Sequence, residues 1–151
     1  MSFIVEERSH LAADASVVWA HAVTMEGINA ELAPWVRMTL PPASLGRSID
    51  DAPLGREAFA STLLAFGVLP FDVHHLTLVE RSERAFVEES WSWLERCWRH
   101  ERSVRAIGDG CEILDRVTVT PRLPISVLAR PIVGAMFRSR HRALRLRFGT
   151  R

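Results

Sequence analysis

The segment Gly108-Asp109-Gly110, set between alternating runs at residues 97–107 and 111–120, constrains this chain more than any other feature. An Asp-Gly pair between such runs signals a β-hairpin, because glycine accepts the positive φ that a two-residue turn demands. With Asp109 and Gly110 as the loop, Gly108 faces Cys111, and Val104 pairs with Asp115, Arg102 with Val117 and His100 with Val119. One face then carries Trp98, His100, Arg102, Val104, Ile113, Asp115, Val117 and Val119. The other carries Arg99, Glu101, Ser103, Arg105, Glu112, Arg116, Thr118 and Thr120, with Leu114 its main apolar member. A one-residue slip would mix the two sets, so the pattern itself argues for the pairing. The inward face is apolar except for His100, Arg102 and Asp115.

Those exceptions are the first candidates for chemistry. Arg102 and Asp115 fall diagonally across the ladder, within reach of a long side chain. A charge buried alone costs several kcal/mol, which a hydrogen-bonded partner largely offsets, so the two are expected to pair. The pair reads either as a structural tie between strands or as the polar anchor of an otherwise apolar cavity. His100 is a candidate general acid or base, since an imidazole titrates near neutrality. Trp91, Trp93 and Trp98, with Phe59, Phe66, Phe71 and Phe86, supply large apolar surfaces that fit either core packing or cavity walls.

The rest of the chain builds a frame around this hairpin. Residues 3–10 mix β-formers with charge and predict a strand. Asp14 is an N-cap for a helix over 15–23, a second helix covers 25–32, and Pro34 stops it. Residues 35–40 resume as a strand and 41–55 are a loop rich in Pro, Gly, Ser and Asp. The continuous apolar run at 56–69 fits a buried helix or a strand, and helix is the favoured reading. Strands follow at 73–80 and 85–93, and a helical pattern runs over 125–148, which Pro131 should kink or restart.

Composition sets the limits. At 151 residues and 48% hydrophobic, the chain is expected to form one domain covering 1–151 with its own core. A formal net charge of +1 gives no global field to favour nucleic acid. No apolar stretch approaches the ~18 residues needed to span a bilayer, and the acidic start does not fit a signal peptide, so a cytoplasmic location is expected. Cys97 and Cys111 form no disulfide framework. The basic side chains other than His are all Arg, a bias consistent with a GC-rich bacterial source. Cys97 and His100 would point to opposite faces of a strand and His74-His75 likewise, so no metal is expected. No nucleophile elbow, phosphate loop or dinucleotide fingerprint is present.

The first strand followed by Asp14-Ala15-Ser16-Val17-Val18-Trp19, the helical Glu26-Gly27-Ile28-Asn29-Ala30-Glu31-Leu32, the hairpins and the closing helix resemble the START-related SRPBCC superfamily of polyketide cyclases and dehydrases, lipid-transfer domains and pollen allergens. The resemblance implies an α+β helix-grip fold, a curved antiparallel sheet wrapped around a long C-terminal helix. Between them it implies a deep hydrophobic cavity without metal or tightly bound cofactor.

The expected function is binding, transport or sequestration of a small hydrophobic ligand such as a lipid, polyketide or isoprenoid. The expected ligand contacts are Trp91, Trp98, His100, Arg102, Asp115 and Val117. The alternatives are a cyclase- or dehydratase-type enzyme using His100, and an interaction module acting through the last helix. In that helix Phe137, Leu144 and Phe148 share an inward stripe, while Arg138, Arg140, Arg142 and Arg145 could meet an anionic membrane or acidic protein; cations near a helix C-terminus also complement its dipole.

Overall fold

Residues 1–41 and 48–151 are described by the computed structural model. The middle of the 41–55 loop therefore lies outside the described residues; its end carries a short 3-10 turn, Ile49–Asp51. The elements run β1 (Phe3–Leu11), α1 (Ala15–Ala22), α2 (Met25–Leu32), β2 (Val36–Met38), β3 (Glu57–Ala65), β4 (Leu69–Ser82), β5 (Ala85–Ser92), β6 (Glu95–Ile107), β7 (Gly110–Pro121) and α3 (Ser126–Phe148). The strands make one antiparallel sheet of order β1-β7-β6-β5-β4-β3-β2. The long α3 packs on β1, β7 and α2, closing the concave side of the sheet. Among the described residues no helix is long and apolar enough to cross a membrane.

Local chemistry explains the helices that follow β1. The Asp14 carboxylate accepts from Ser16 N at 2.9 Å and caps α1, and Thr24 Oγ1 accepts from Gly27 N at 3.0 Å and caps α2. The two helices meet so closely that a Cβ on Gly27 would stand 1.9 Å from the His21 carbonyl oxygen, which only glycine accommodates. Val18, Trp19, Val23, Ile28 and Leu32 are thereby buried against the sheet in one apolar cluster with Leu76, Leu78 and Phe86.

Three expectations are corrected by these elements. Residues 57–65 form a strand rather than a helix, because the segment pairs with β4 along its length and with β2 over residues 63–65, and ends at Phe66 and Gly67, both at positive φ. Good helix formers were outweighed by cross-strand pairing. The β6–β7 turn is Gly108-Asp109, so Ile107 pairs with Gly110, Val104 with Ile113 and Arg102 with Asp115. Gly108 takes the positive φ at the first turn position and Asp109 does not, the type II′ arrangement. The register thus moves by two residues, which preserves parity and therefore both faces. Finally, α3 continues as one helix through Pro131 rather than restarting there. The carbonyl left without its N–H partner is that of Val127, an exposed residue where water can replace it.

Candidate functional site

The concave face of the sheet and the inner side of α3 enclose a cavity of about 470 Å³. Its walls are mainly Ile28, Leu32, Leu76, Phe86, Trp98, Val119, Val133 and Met136, with Arg102, His100, His74, Glu88 and Glu95 among the polar groups reaching it.

Arg102 is the centre of the polar floor. It stands directly opposite Asp115 on the neighbouring strand, and both are 1% exposed. Arg102 Nε donates to Asp115 Oδ1 at 2.7 Å and Nη2 to Asp115 Oδ2 at 2.8 Å. The other edge of the guanidinium grips Glu31, with Nη2 donating to Oε1 at 2.7 Å and Nη1 to Oε2 at 3.0 Å. Arg140, reaching from α3, donates to Glu31 Oε1 at 3.1 Å. Four of the five guanidinium N–H groups are thus used, and one on Nη1 remains on a residue that lines the cavity.

Two histidines complete the carboxylate's shell. His100 Nε2 donates to Asp115 Oδ1 at 2.6 Å and His141 Nε2 to Oδ2 at 2.7 Å. Ser9 Oγ accepts from Arg145 Nη1 at 2.8 Å and lies 2.7 Å from His141 Nδ1, while the ionised Asp115 carboxylate can only accept, so Nε2 is a donor of that ring. His100 has no such second partner among the described residues; its Nδ1 edge belongs to a ring that lines the cavity. Burial alone would raise the Asp115 carboxyl, but Arg102 and the hydrogen bonds hold it well below its ordinary value. Burial is likewise overridden at Glu31, lowered by Arg102 and Arg140, and at Arg102, raised by Asp115 and Glu31.

A second polar group was not anticipated from the sequence. His74 Nε2 meets Glu88 Oε1 at 2.8 Å, both buried. Burial opposes their charges, yet each carries the other into its charged form, His74 raised and Glu88 lowered. At Glu95 burial outweighs the pull of the His74 cation and pushes the carboxyl up to about 7. Native Glu95 therefore holds a proton between about pH 4.5 and 7 that the unfolded chain has released, so ionising it costs stability as pH rises through that window. Glu95→Gln should match the parent near pH 4.5 and exceed it above pH 7 by roughly 2–3 kcal/mol, measurable as urea midpoints at pH 5 and pH 8.

The sequence-predicted residues divide clearly. Trp98, His100 and Arg102 line the cavity, and Asp115 lies directly behind Arg102. Val117 is buried beneath the floor in a cluster with Trp98 and Phe137. Trp91 points to the other face of β5, 41% exposed and stacked on His75, because Phe86, Glu88, Ser90 and Ser92 take the inward positions. Trp93 and Phe66 also lie at the surface. Arg140 is buried on Glu31 rather than free for a partner, and Arg145 is engaged with Ser9; Arg138 and Arg142 are exposed.

Residues 9–148 match the family model described as a domain of unknown function, DUF8410. The chain belongs to the DUF8410 family. This DUF8410 chain has no match among functionally curated sequences. Its fold is shared by a START superfamily protein from Mycobacterium smegmatis, at 15% identity and TM-score 0.71, covering 96% of each chain. Protein CV1439 from Chromobacterium violaceum superposes at TM-score 0.72 and 11% identity, covering 98% of this chain and 99% of that one. Ara h 8.0201 follows at TM-score 0.58 and 12% identity, with 95% and 98% covered. The DUF8410 chain thus has the START-like helix-grip architecture.

Proposed function

We propose that the protein binds, and thereby carries or sequesters, a small hydrophobic ligand of the lipid, polyketide or isoprenoid class. The observation that carries this reading is the cavity of about 470 Å³, apolar along its walls and polar at one floor. An apolar lining makes water a poor occupant, whereas an apolar body would regain the dispersion contacts that the walls otherwise lack. Trp98 forms part of the wall, and His100 with Arg102 offers one acceptor edge and one N–H to a hydroxyl, carbonyl or carboxylate. Asp115 acts through both of them by fixing their orientation. The fold shared with START-superfamily proteins supports the same reading.

A thermal-shift panel of isoprenoid alcohols, long-chain hydroxy and carboxy hydrocarbons and polycyclic phenols tests it. At a hundred times Kd a ligand adds about 2.7 kcal/mol, several degrees for a chain of this length. No shift with any of them would sink the proposal.

A second reading is favoured by one feature, the Asp115–His100 pair whose Nδ1 edge has no protein partner among the described residues. A buried carboxylate orienting an imidazole is the arrangement of a general base, which suits a cyclase or dehydratase. His100→Ala separates the two: a carrier keeps most of its affinity, and an enzyme loses turnover.

A further inference from the structure

The rim of the cavity carries an exposed apolar surface that the interior does not explain. On α3, Leu128 and Ile132 both line the cavity and remain about two-thirds exposed, and Val127 beside them is 87% exposed. Leu123 precedes them, and Phe71 and Leu94 stand at the same opening from the tips of β4 and the β5–β6 turn, all exposed. Isolated surface apolar groups need no explanation, but a contiguous set around one opening marks an interaction site.

Charge selects the partner. From Arg116 to Arg151 the chain has nine arginines and no aspartate or glutamate. Arg122 and Arg130 alternate with the exposed apolar residues of this segment, and both are exposed. Of the carboxylates that line the cavity, Asp72 and Glu88 are buried, and Glu95, half-buried beside Leu94, is pushed by burial up to about 7. Apolar side chains flanked by arginine, in a segment without acidic residues, match the acyl–phosphate boundary of an anionic bilayer. A second copy of the chain would bring arginine against arginine and plug the opening.

We propose that the mouth of the cavity docks on an anionic lipid surface, with Leu123, Val127, Leu128 and Ile132 entering the interface and Arg122 and Arg130 meeting lipid phosphates. The cavity then opens toward the apolar layer, so its cargo need not cross water; this purpose rests on the ligand-binding reading, while the docking itself does not. The surface lies on the N-terminal half of α3, not on the C-terminal half where Arg140 and Arg145 are engaged internally.

Co-sedimentation with vesicles of phosphatidylcholine containing 30% phosphatidylglycerol tests the docking. Binding should be at least tenfold weaker to phosphatidylcholine alone and should fall similarly in high salt. Val127→Asp and Arg130→Glu, at exposed positions outside the cavity lining, should each reduce vesicle binding severalfold while leaving the thermal midpoint and vesicle-free uptake of a fluorescent fatty acid unchanged. Vesicle binding without fatty-acid uptake would uphold docking and overturn the ligand reading; uptake without vesicle binding would do the reverse. Equal binding to both vesicle types, or a dimer that Val127→Asp splits, would overturn the docking proposal.

Discussion

Arg102→Leu is expected to lose about 3–5 kcal/mol of stability, the cost of stripping one partner from a buried ion pair, which at this length lowers the melting temperature by roughly 6–15 °C. The substitution leaves Glu31 and Asp115, each 1% exposed, as carboxylates without their shared cation. Arg140 still reaches Glu31, and His100 and His141 still reach Asp115, so the loss should not exceed this range. The pH dependence identifies the cause. In the parent, Asp115 and Glu31 are depressed, so their stabilisation is present above the ordinary carboxylate range and is lost as pH falls through it. In the variant the same groups, buried with less compensation, are raised, so stability should instead improve as pH falls toward 5. Urea unfolding of both proteins at pH 5 and 8 measures this; a difference below 1 kcal/mol at pH 8 would show that the network is not buried as described.

The second large effect concerns the cavity. Ala129→Trp places an indole on the inner side of α3, where the alanine lines the space. If the volume is open, filling it should stabilise the chain by about 0.5–2 kcal/mol while weakening an apolar ligand at least tenfold. The opposed signs are the diagnostic part, since damage to the fold would weaken binding and stability together.

Much of this site is legible in the amino-acid order because the strand period is two. Trp98, His100, Arg102, Asp115 and Val117 share one face under either turn, so the two-residue error in register did not disturb it. The error itself arises because Asp109 is flanked by glycine on both sides, and either can supply the positive φ. Residues 57–65 were not legible, since Glu-Ala-Phe-Ala-Ser-Thr-Leu-Leu-Ala has neither alternation nor a helical stripe, and its place in the sheet is set by pairing with the distant β4 and, over residues 63–65, with β2. Glu31 carried a signal that went unused: it lies three residues after Ile28 and next to Leu32, on the buried face of α2. Arg140 and His141 follow Phe137 by three and four residues and so fall on the inward stripe, although the surrounding arginines made them read as solvent-facing. Glu88, which pairs with His100 across β5 and β6, and its partner His74 needed the tertiary fold to be seen.

The account stands on an open, apolar interior closed by a polar floor, and a fluorescence titration with cis-parinaric acid, an 18-carbon fatty acid, addresses it most directly. The expected result is a saturable rise at one molecule per chain that Ala129→Trp abolishes without loss of stability. A signal that never saturates, or one that is unchanged in Ala129→Trp, would contradict it.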